Sequence, residues 1–201
     1  LYMNWKPNNR FSFSLRGGTG RSPMNLDLIQ PELIMTNYRS FRQGVGNFYN
    51  TTSQRVLANF SYKHTRKGMF ANAMVLQSWS HLPYTMAQQL YGDYVVYSYT
   101  DVKNDGQMLM ASGNIGKTLD FMRGSMNVNG SFSRNESHLI SENSTINSVG
   151  TSWSVGGKIN GSPLRWLSFD YAIDFSSSRM AMNGIKNSWL GSIENSLLIN
   201  I

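Results

Sequence analysis

The segment Leu167-Ser-Phe-Asp-Tyr-Ala-Ile-Asp-Phe-Ser176 alternates between large apolar side chains and small or polar ones. A period of two places successive side chains on opposite faces of a β-strand, so one face of this strand is almost wholly apolar. The preceding segment, residues 149–160, alternates in the same way, and a short connection with Gly161 and Pro163 joins the two. The two segments therefore predict a β-hairpin with one apolar and one polar face.

The composition indicates what the apolar face contacts. Charged residues make up 14% of the 201 residues, below the roughly 25% usual in soluble domains, and Ser, Asn and Gly replace them. This mixture is typical of a wall with lipid on one side and water on the other. No run approaches the ~18 to 20 apolar residues of a spanning helix, so such a chain would cross a bilayer as strands. With no Cys, the chain has neither disulfides nor thiolate metal sites.

The net charge of +7 would suit a nucleic-acid ligand. However, Lys and Arg are scattered through the predicted turns and loops, and no basic run is interleaved with aromatic residues. We therefore expect no nucleic-acid partner.

Similar alternation recurs along the chain, and the connections between strands alternate between short and long. A strand at residues 94–102, with a turn at 104–106, is assigned to a long connection and not to the wall. Strands of roughly 10 to 14 residues, with tight turns at one edge and long loops at the other, are typical of outer-membrane barrels. The predicted fold class is all-β: an antiparallel transmembrane β-barrel segment of about nine barrel strands, with short periplasmic turns and long extracellular loops. Short connections are expected near Pro7, Arg66, Thr118 and Gly161. Longer ones begin near His81 and Met180 and cover residues 17 to about 52 and 135–146.

Four segments resemble TonB-dependent outer-membrane receptors. The run Arg16-Gly-Gly-Thr-Gly-Arg-Ser-Pro-Met-Asn-Leu26 follows a Phe-Ser-Phe-Ser strand and resembles the point where a receptor strand opens into a long external loop. The run Tyr38-Arg-Ser-Phe-Arg-Gln-Gly-Val-Gly-Asn47 is similar to the return into the next strand. Residues 59–64 and 68–72, Asn-Phe-Ser-Tyr-Lys-His and Gly-Met-Phe-Ala-Asn, resemble the hairpin that follows. The likeness is nearest to the Bacteroidetes-type receptors.

The resemblance implies active nutrient uptake across the outer membrane of a Gram-negative cell, through a barrel of about 22 strands. Energy would come from a TonB-type complex acting through a plug domain outside residues 1–201, and outer-membrane lipid would surround the barrel. A surface lipoprotein or other outer-membrane subunits are further candidate partners. Residues 1–6 and 197–201 fall within predicted strands, so residues 1–201 are expected to be part of one larger barrel domain whose plug and chain termini lie elsewhere.

Candidate chemical sites have little support in the sequence. Glu136 and His138 are the nearest approach to a metal-ligand pair, but isolated loop histidines are far more common than ligands. Asp170 and Asp174 share a strand face and could act as paired acids, yet alternation places them where a water-filled lumen needs polar side chains. Neither a nucleophile elbow nor a complete phosphate-binding loop occurs. We therefore predict no catalytic, cofactor-binding or metal-binding residue, and no enzyme activity.

Three groups of residues follow from the barrel interpretation. Apolar strand faces should contact lipid, the opposite faces should line the lumen, and aromatic side chains in the long loops should meet a substrate first. The loop aromatics could equally pack the loops onto one another. The predicted lipid-facing residues are Phe60, Tyr62, Met126, Val128, Phe132, Val155, Leu167, Phe169, Tyr171, Ile173 and Phe175. The predicted lumen-facing residues are Asn127, Asn129, Ser131, Lys158, Asp170 and Asp174. The candidate substrate-contacting aromatics are Tyr38, Phe41, Phe48, Tyr84, Tyr91 and Tyr94.

Two other interpretations fit the sequence. One is a non-transporting outer-membrane barrel that scaffolds a protein assembly, with its loops as the interface. The other is a soluble β-sandwich that acts as an adhesin or glycan-binding module. In a sandwich, the apolar side of residues 167–175 would be buried against a second sheet, whereas a barrel would leave it facing hydrocarbon.

Overall fold

A computed structural model of the chain describes residues 1–141, 144–164 and 166–200. Strand accounts for 78% of the structure and helix for 5%, so the predicted all-β class with antiparallel pairing is confirmed. The helical residues described are three 3-10 turns, at Leu26–Leu28, Thr65–Lys67 and Asp120–Met122. Among the residues described, no helix is both long and apolar enough to cross a membrane. The strands are β1 (Tyr2–Asn8), β2 (Phe11–Pro23), β3 (Ile34–Asn37), β4 (Ser40–Gln43), β5 (Asn50–His64), β6 (Met69–Leu82), β7 (Thr85–Tyr91), β8 (Tyr94–Thr100), β9 (Asn104–Leu119), β10 (Gly124–Ser141), β11 (Ser144–Leu164), β12 (Leu167–Met182), β13 (Ile185–Lys186) and β14 (Leu190–Asn200).

Nine strands form a continuous antiparallel meander, which we call the wall. Its order is β1-β2-β5-β6-β9-β10-β11-β12-β14, so each strand pairs with the wall strand before it in the chain. The sheet is open among the described residues, because β1 pairs only with β2 and β14 only with β12. Over the described ranges, the structure therefore contains an antiparallel wall and no closed barrel.

Tight turns lie along one edge of the wall, which we call the turn edge. At the β1–β2 turn, the side-chain oxygen of Asn8 accepts hydrogen bonds from the backbone N–H groups of Arg10 and Phe11. The β5–β6 turn closes through Gly68, whose φ of 56° lies in the left-handed region that glycine adopts without strain. The opposite edge, which we call the loop edge, carries the longer connections.

A second group of strands stands above the loop edge and forms what we call the loop sheet. It consists of β3, β4, β7 and β8, from the β2–β5 and β6–β9 connections. The two connections meet where β4 and β8 pair in parallel, and β7 joins the group to β10 through the parallel pairs Ile140–Ala87 and Ser141–Gln88. The loop sheet therefore continues the wall beyond its loop edge.

Three expectations about the connections need correction. The strand at residues 94–102 does lie outside the wall, but its hairpin turns at Gly92 and Asp93, and residues 104–106 begin β9. The predicted long loop at residues 17–52 is shorter, since β2 continues to Pro23 and β5 begins at Asn50. The predicted polar loop at residues 135–146 is largely strand, because β10 and β11 stay in register up to Ser141 and Ser144. Backbone hydrogen bonds between antiparallel strands do not require an apolar face, so hydrophobic alternation could not reveal this extension.

The wall is a single layer. The accessible surface of the chain, 13,710 Å², compares with about 9,500 Å² expected of a compact monomer of 22.7 kDa. The buried apolar side chains found in the described residues are Met24, Tyr84 and Ala87, none of which lies in a wall strand. No second sheet packs on the wall in the part of the chain described here, so the sandwich interpretation lacks the second layer that it requires.

Candidate functional site

The strand register identifies which side chains share a face of the wall, because directly paired residues lie on the same side of a sheet. One transverse row runs from Phe13 through Phe60 to Val155 and Phe175, passing small residues in the strands between. The side of the wall that contains this row is here called the apolar face. All eleven residues predicted to contact lipid lie on it, by register or by alternation along β12.

The apolar face extends beyond the predicted residues to all nine strands. Met3 and Trp5 in β1 and Ile193 and Leu197 in β14 belong to it. Its side chains are not covered by protein: Trp5 is 57% exposed, Val155 46% and Ile193 69%. An uncovered apolar surface of this extent is rare on soluble monomers and normally marks a contact with lipid or another protein.

The opposite side of the wall is here called the polar face, and all six predicted lumen-facing residues lie on it. Hydroxyl groups pair across neighbouring strands: Ser131 with Ser154 at 2.8 Å, and Ser133 with Ser152 at 2.8 Å. Nearly all of these groups are neutral, so the middle of this face offers hydroxyl and amide groups with little net charge. A row of directly paired serines crosses five strands at Ser112, Ser131, Ser154, Ser176 and Ser192.

A row of asparagines lies beside the serines. Asn72 pairs with Asn114, and Asn114 pairs with Asn129. These amides line a shallow depression of about 450 Å³ together with Asn59 and neighbouring Ser and Gly residues. Sequence reasoning identified Asn129 and missed Asn72 and Asn114, because apolar residues on both faces of β6 blur its alternation. Pairing the predicted strands outward from the tight turn at residues 120–123 would have aligned Asn114 with Asn129, whereas the position of Asn72 depends on the long β6–β9 connection.

Charged groups on the polar face lie at both flanks of the wall, in β2 and β5 on one side and in β11, β12 and β14 on the other. Lys158 Nζ and Asp170 Oδ2 are 2.8 Å apart and form an ion pair. The Asp174 side chain lies over Gly156, where an added Cβ would be 2.0 Å from Asp174 Oδ1. Asp170 and Asp174 thus have different surroundings, and the arrangement suits a polar wall better than a pair of catalytic acids.

An apolar patch interrupts the polar face near the loop edge. Leu57, Leu76 and Met110 are direct neighbours across β5, β6 and β9. Met74 and Met108 lie on the same face beside them, and all five side chains are partly exposed. This apolar patch explains the blurred alternation of β6, and it is a surface on which another part of a protein could pack.

The candidate loop aromatics fall into two groups. The rings of Phe41 and Tyr94 are 5.8 Å apart on the loop sheet, and Tyr94 is half exposed. Tyr38 is 80% exposed at the tip of the β3–β4 hairpin, and the Arg39 guanidinium lies over its ring. Tyr84, by contrast, is buried against Tyr99, so it packs the loop and offers no ring face to a ligand. Phe48 and Tyr91 are exposed, and Tyr91 is the direct cross-strand neighbour of Tyr94.

We expect Tyr84 to make the loop sheet sensitive to high pH. Burial, and secondarily the nearby Tyr99 hydroxyl, raises the pKa of Tyr84 above its ordinary value of 10.0. Because the fold favours the neutral phenol, its contribution is complete below about pH 10 and is lost as the pH rises through the raised pKa. Proteolysis of residues 83–103 should therefore accelerate above about pH 10. A Tyr84→Phe variant should show a weaker acceleration, and an unchanged pH profile would contradict this assignment.

The histidines have separate partners. His81 Nδ1 lies 2.8 Å from Asp105 Oδ1, whereas the His138 backbone N–H donates to the side chain of Asn104. Glu136 accepts a hydrogen bond from Arg134 Nε, at 2.8 Å. In the described parts of the chain, no three His, Asp or Glu side chains are grouped so as to hold a metal ion.

Comparison with known proteins adds no assignment to this geometry. No protein-family model matches the chain, and the search of curated proteins returns no match.

Proposed function

We propose that this chain is part of the wall of an outer-membrane β-barrel transporter of the TonB-dependent kind, which takes up a nutrient actively. The observation that carries the proposal is a single antiparallel layer with one uncovered apolar face and one polar face, continuous over nine strands. Hydrocarbon would cover the apolar face, and the polar face would border a water-filled lumen.

The course of the apolar side chains supports a membrane-spanning wall. In β2 the apolar run of Phe11, Phe13 and Leu15 is centred on Phe13. Phe175 lies in the same transverse row as Phe13. In β12, however, the apolar run begins at Leu167 and Phe175 is its last residue, at the end nearest the loop edge. The apolar band therefore shifts by about four residues towards the turn edge over six strand steps, so the strands cross it obliquely. Strands that are tilted relative to the membrane normal cross the hydrocarbon layer in this oblique way.

The apolar patch at Leu57, Leu76 and Met110 favours a transporter over an empty scaffold. Partly exposed apolar side chains facing a water-filled lumen are unfavourable unless another segment covers them. A plug domain inside the barrel would cover this patch, and the TonB-type complex would act on that plug. The surrounding Ser and Asn side chains would supply hydrogen bonds to the plug or to a passing substrate.

Energised uptake by intact cells tests this function. Cells that carry the protein should deplete a nutrient from a defined medium, and collapse of the inner-membrane proton gradient should stop the depletion. A Leu76→Lys/Met110→Lys variant should insert normally and lose most of the uptake, because two charges face the patch that the plug covers. The matched control is Ser176→Lys/Ser192→Lys, a serine pair on the same face in β12 and β14, away from the patch, and it should keep the uptake.

The scaffold alternative predicts a different pattern. Depletion of the nutrient from the medium would then be the same with and without the protein, and it would not depend on the proton gradient. That result, obtained with the protein inserted in the outer membrane, would rule out the transporter and retain the barrel.

A further inference from the structure

The turn edge carries most of the net positive charge of the chain. Its turn segments 6–10, 63–68 and 117–123 contain seven Lys or Arg side chains and one carboxylate, Asp120. These segments carry a net charge of +6, out of +7 for the whole chain. The turns are far apart in sequence, so basic residues that look scattered along the chain meet at one edge of the meander. The seven are Lys6, Arg10, Lys63, Arg66, Lys67, Lys117 and Arg123.

This charge is not neutralised within the wall. Over residues 1–141, 144–164 and 166–200, no carboxylate forms a salt bridge with any of the seven cations. The ion pairs that do form involve other cations at the loop edge or on the polar face. The turn edge thus presents a positive potential, which attracts anions from the surroundings.

Lys117 indicates which anion the turn edge meets. Its direct neighbours across the sheet are Met69 and Met126, so it lies on the apolar face at the end of the apolar band. A Lys in this position lays its methylene chain along the apolar surface and extends its ammonium group to the polar boundary. Two exposed aromatic side chains lie at the same edge, with Phe121 79% and Trp166 61% exposed. Basic and aromatic side chains that border an apolar surface are typical of a lipid headgroup layer.

We propose that the turn edge binds the anionic phospholipid headgroups of the membrane leaflet that it borders. The inference rests on the proposed function, because it takes the apolar face to be covered by acyl chains. The site recognises phosphate groups held at a membrane surface, and a soluble polyanion offers the same phosphates without the acyl chains that the apolar face contacts. A headgroup that contacts one or two of these cations gains roughly a fivefold preference from each, reduced by salt.

Lipid-selective fluorescence quenching tests the proposal. The intact protein is reconstituted in mixed vesicles in which either phosphatidylglycerol or phosphatidylcholine carries brominated acyl chains, which quench nearby Trp. We expect brominated phosphatidylglycerol to be preferred about tenfold at low salt, falling to about twofold at high salt. A triple variant, Arg66→Gln/Lys67→Gln/Lys117→Gln, should lose most of the preference and keep its insertion. The matched control, Arg21→Gln/Lys103→Gln/Lys186→Gln, removes the same charge from the loop edge and should keep the preference.

The outcomes separate this inference from the proposed function. Equal quenching by both brominated lipids would overturn the headgroup site and leave the membrane wall intact, whereas no quenching by either would overturn the membrane wall. Loss of the preference in both triple variants would show an effect of total charge and contradict an edge-specific site. Soluble polyphosphate that competes with the lipid in detergent micelles as strongly as phosphatidylglycerol would show a general polyanion site instead. If the triple variant fails to fold, the salt dependence of the wild-type protein decides: a preference that salt does not reduce overturns the proposal.

Discussion

Replacing Val155 by Arg is expected to lower the free energy of unfolding in vesicles by about 2–4 kcal/mol, or to prevent insertion. Val155 lies near the middle of the apolar run of β11, between Trp153 and Ile159, and is 46% exposed. No other part of the described chain covers it, so an Arg there would meet acyl chains if the apolar face borders lipid. Urea titration of the reconstituted protein, followed by Trp fluorescence, measures the change.

The matched control is Ser154→Arg on the adjacent position. Ser154 lies on the polar face and loses only its hydroxyl contact with Ser131, so the cost should be about 1 kcal/mol or less. Equal effects of the two substitutions would mean that both faces border the same medium, which would contradict a membrane wall. A Val155→Arg protein that becomes more soluble without detergent and keeps its stability would contradict it as well.

Replacing Gly44 by Ala is expected to release the connection between β2 and β5 while leaving the wall folded. An added Cβ would lie 2.3 Å from the Leu28 carbonyl oxygen and 2.5 Å from that of Gln30, both rigid backbone atoms. The two loop segments, residues 28–30 and 44–46, must then separate and lose their backbone hydrogen bonds. These bonds join Gly44 N to Gln30 O, Val45 N to Leu28 O and Gly46 N to Ile29 O. At about 1 kcal/mol for each bond, the local loss is about 2–4 kcal/mol.

Limited proteolysis measures this local change, since cleavage within residues 24–49 should accelerate by about 30-fold or more if opening precedes cleavage. The control is Gly18→Ala, because a Cβ at Gly18 meets no atom within 4 Å. Faster cleavage throughout the wall would instead indicate global destabilisation, and cleavage unchanged from wild type would show that the loop accommodates the methyl group.

The faces of the wall could be predicted from the sequence because side-chain direction along a strand depends on local alternation alone. Residues 149–175 alternate cleanly, and the register places them on the expected sides. The blurred β6 could not be assigned in this way. Leu76 lies on the polar face beside Leu57. This position depends on how β6 pairs with β5, and the alternation of apolar residues within β6 alone does not indicate it.

The loops and the turn edge required three-dimensional information. The extension of β10 beyond Asn135 is stabilised by β11 and by β7 from a distant part of the chain. Likewise, the burial of Tyr84 depends on its contact with Tyr99 across the β7–β8 hairpin. The cations come together only because every second connection of the meander lies at the turn edge. None of these contacts between distant segments can be predicted from the alternation of apolar residues within a single strand.

The parallel pairings of the loop sheet have a consequence for the order of folding. Each wall strand pairs with the wall strand before it, so the meander can grow by successive hairpins. The pairs Ser40–Val95 and Ala87–Ile140 instead join residues more than fifty positions apart, and closing such long segments costs entropy before any contact is gained. We therefore expect a nascent chain to form the hairpins of the wall first and the loop sheet last. The loops that would meet a ligand then stay unformed until the wall is in place.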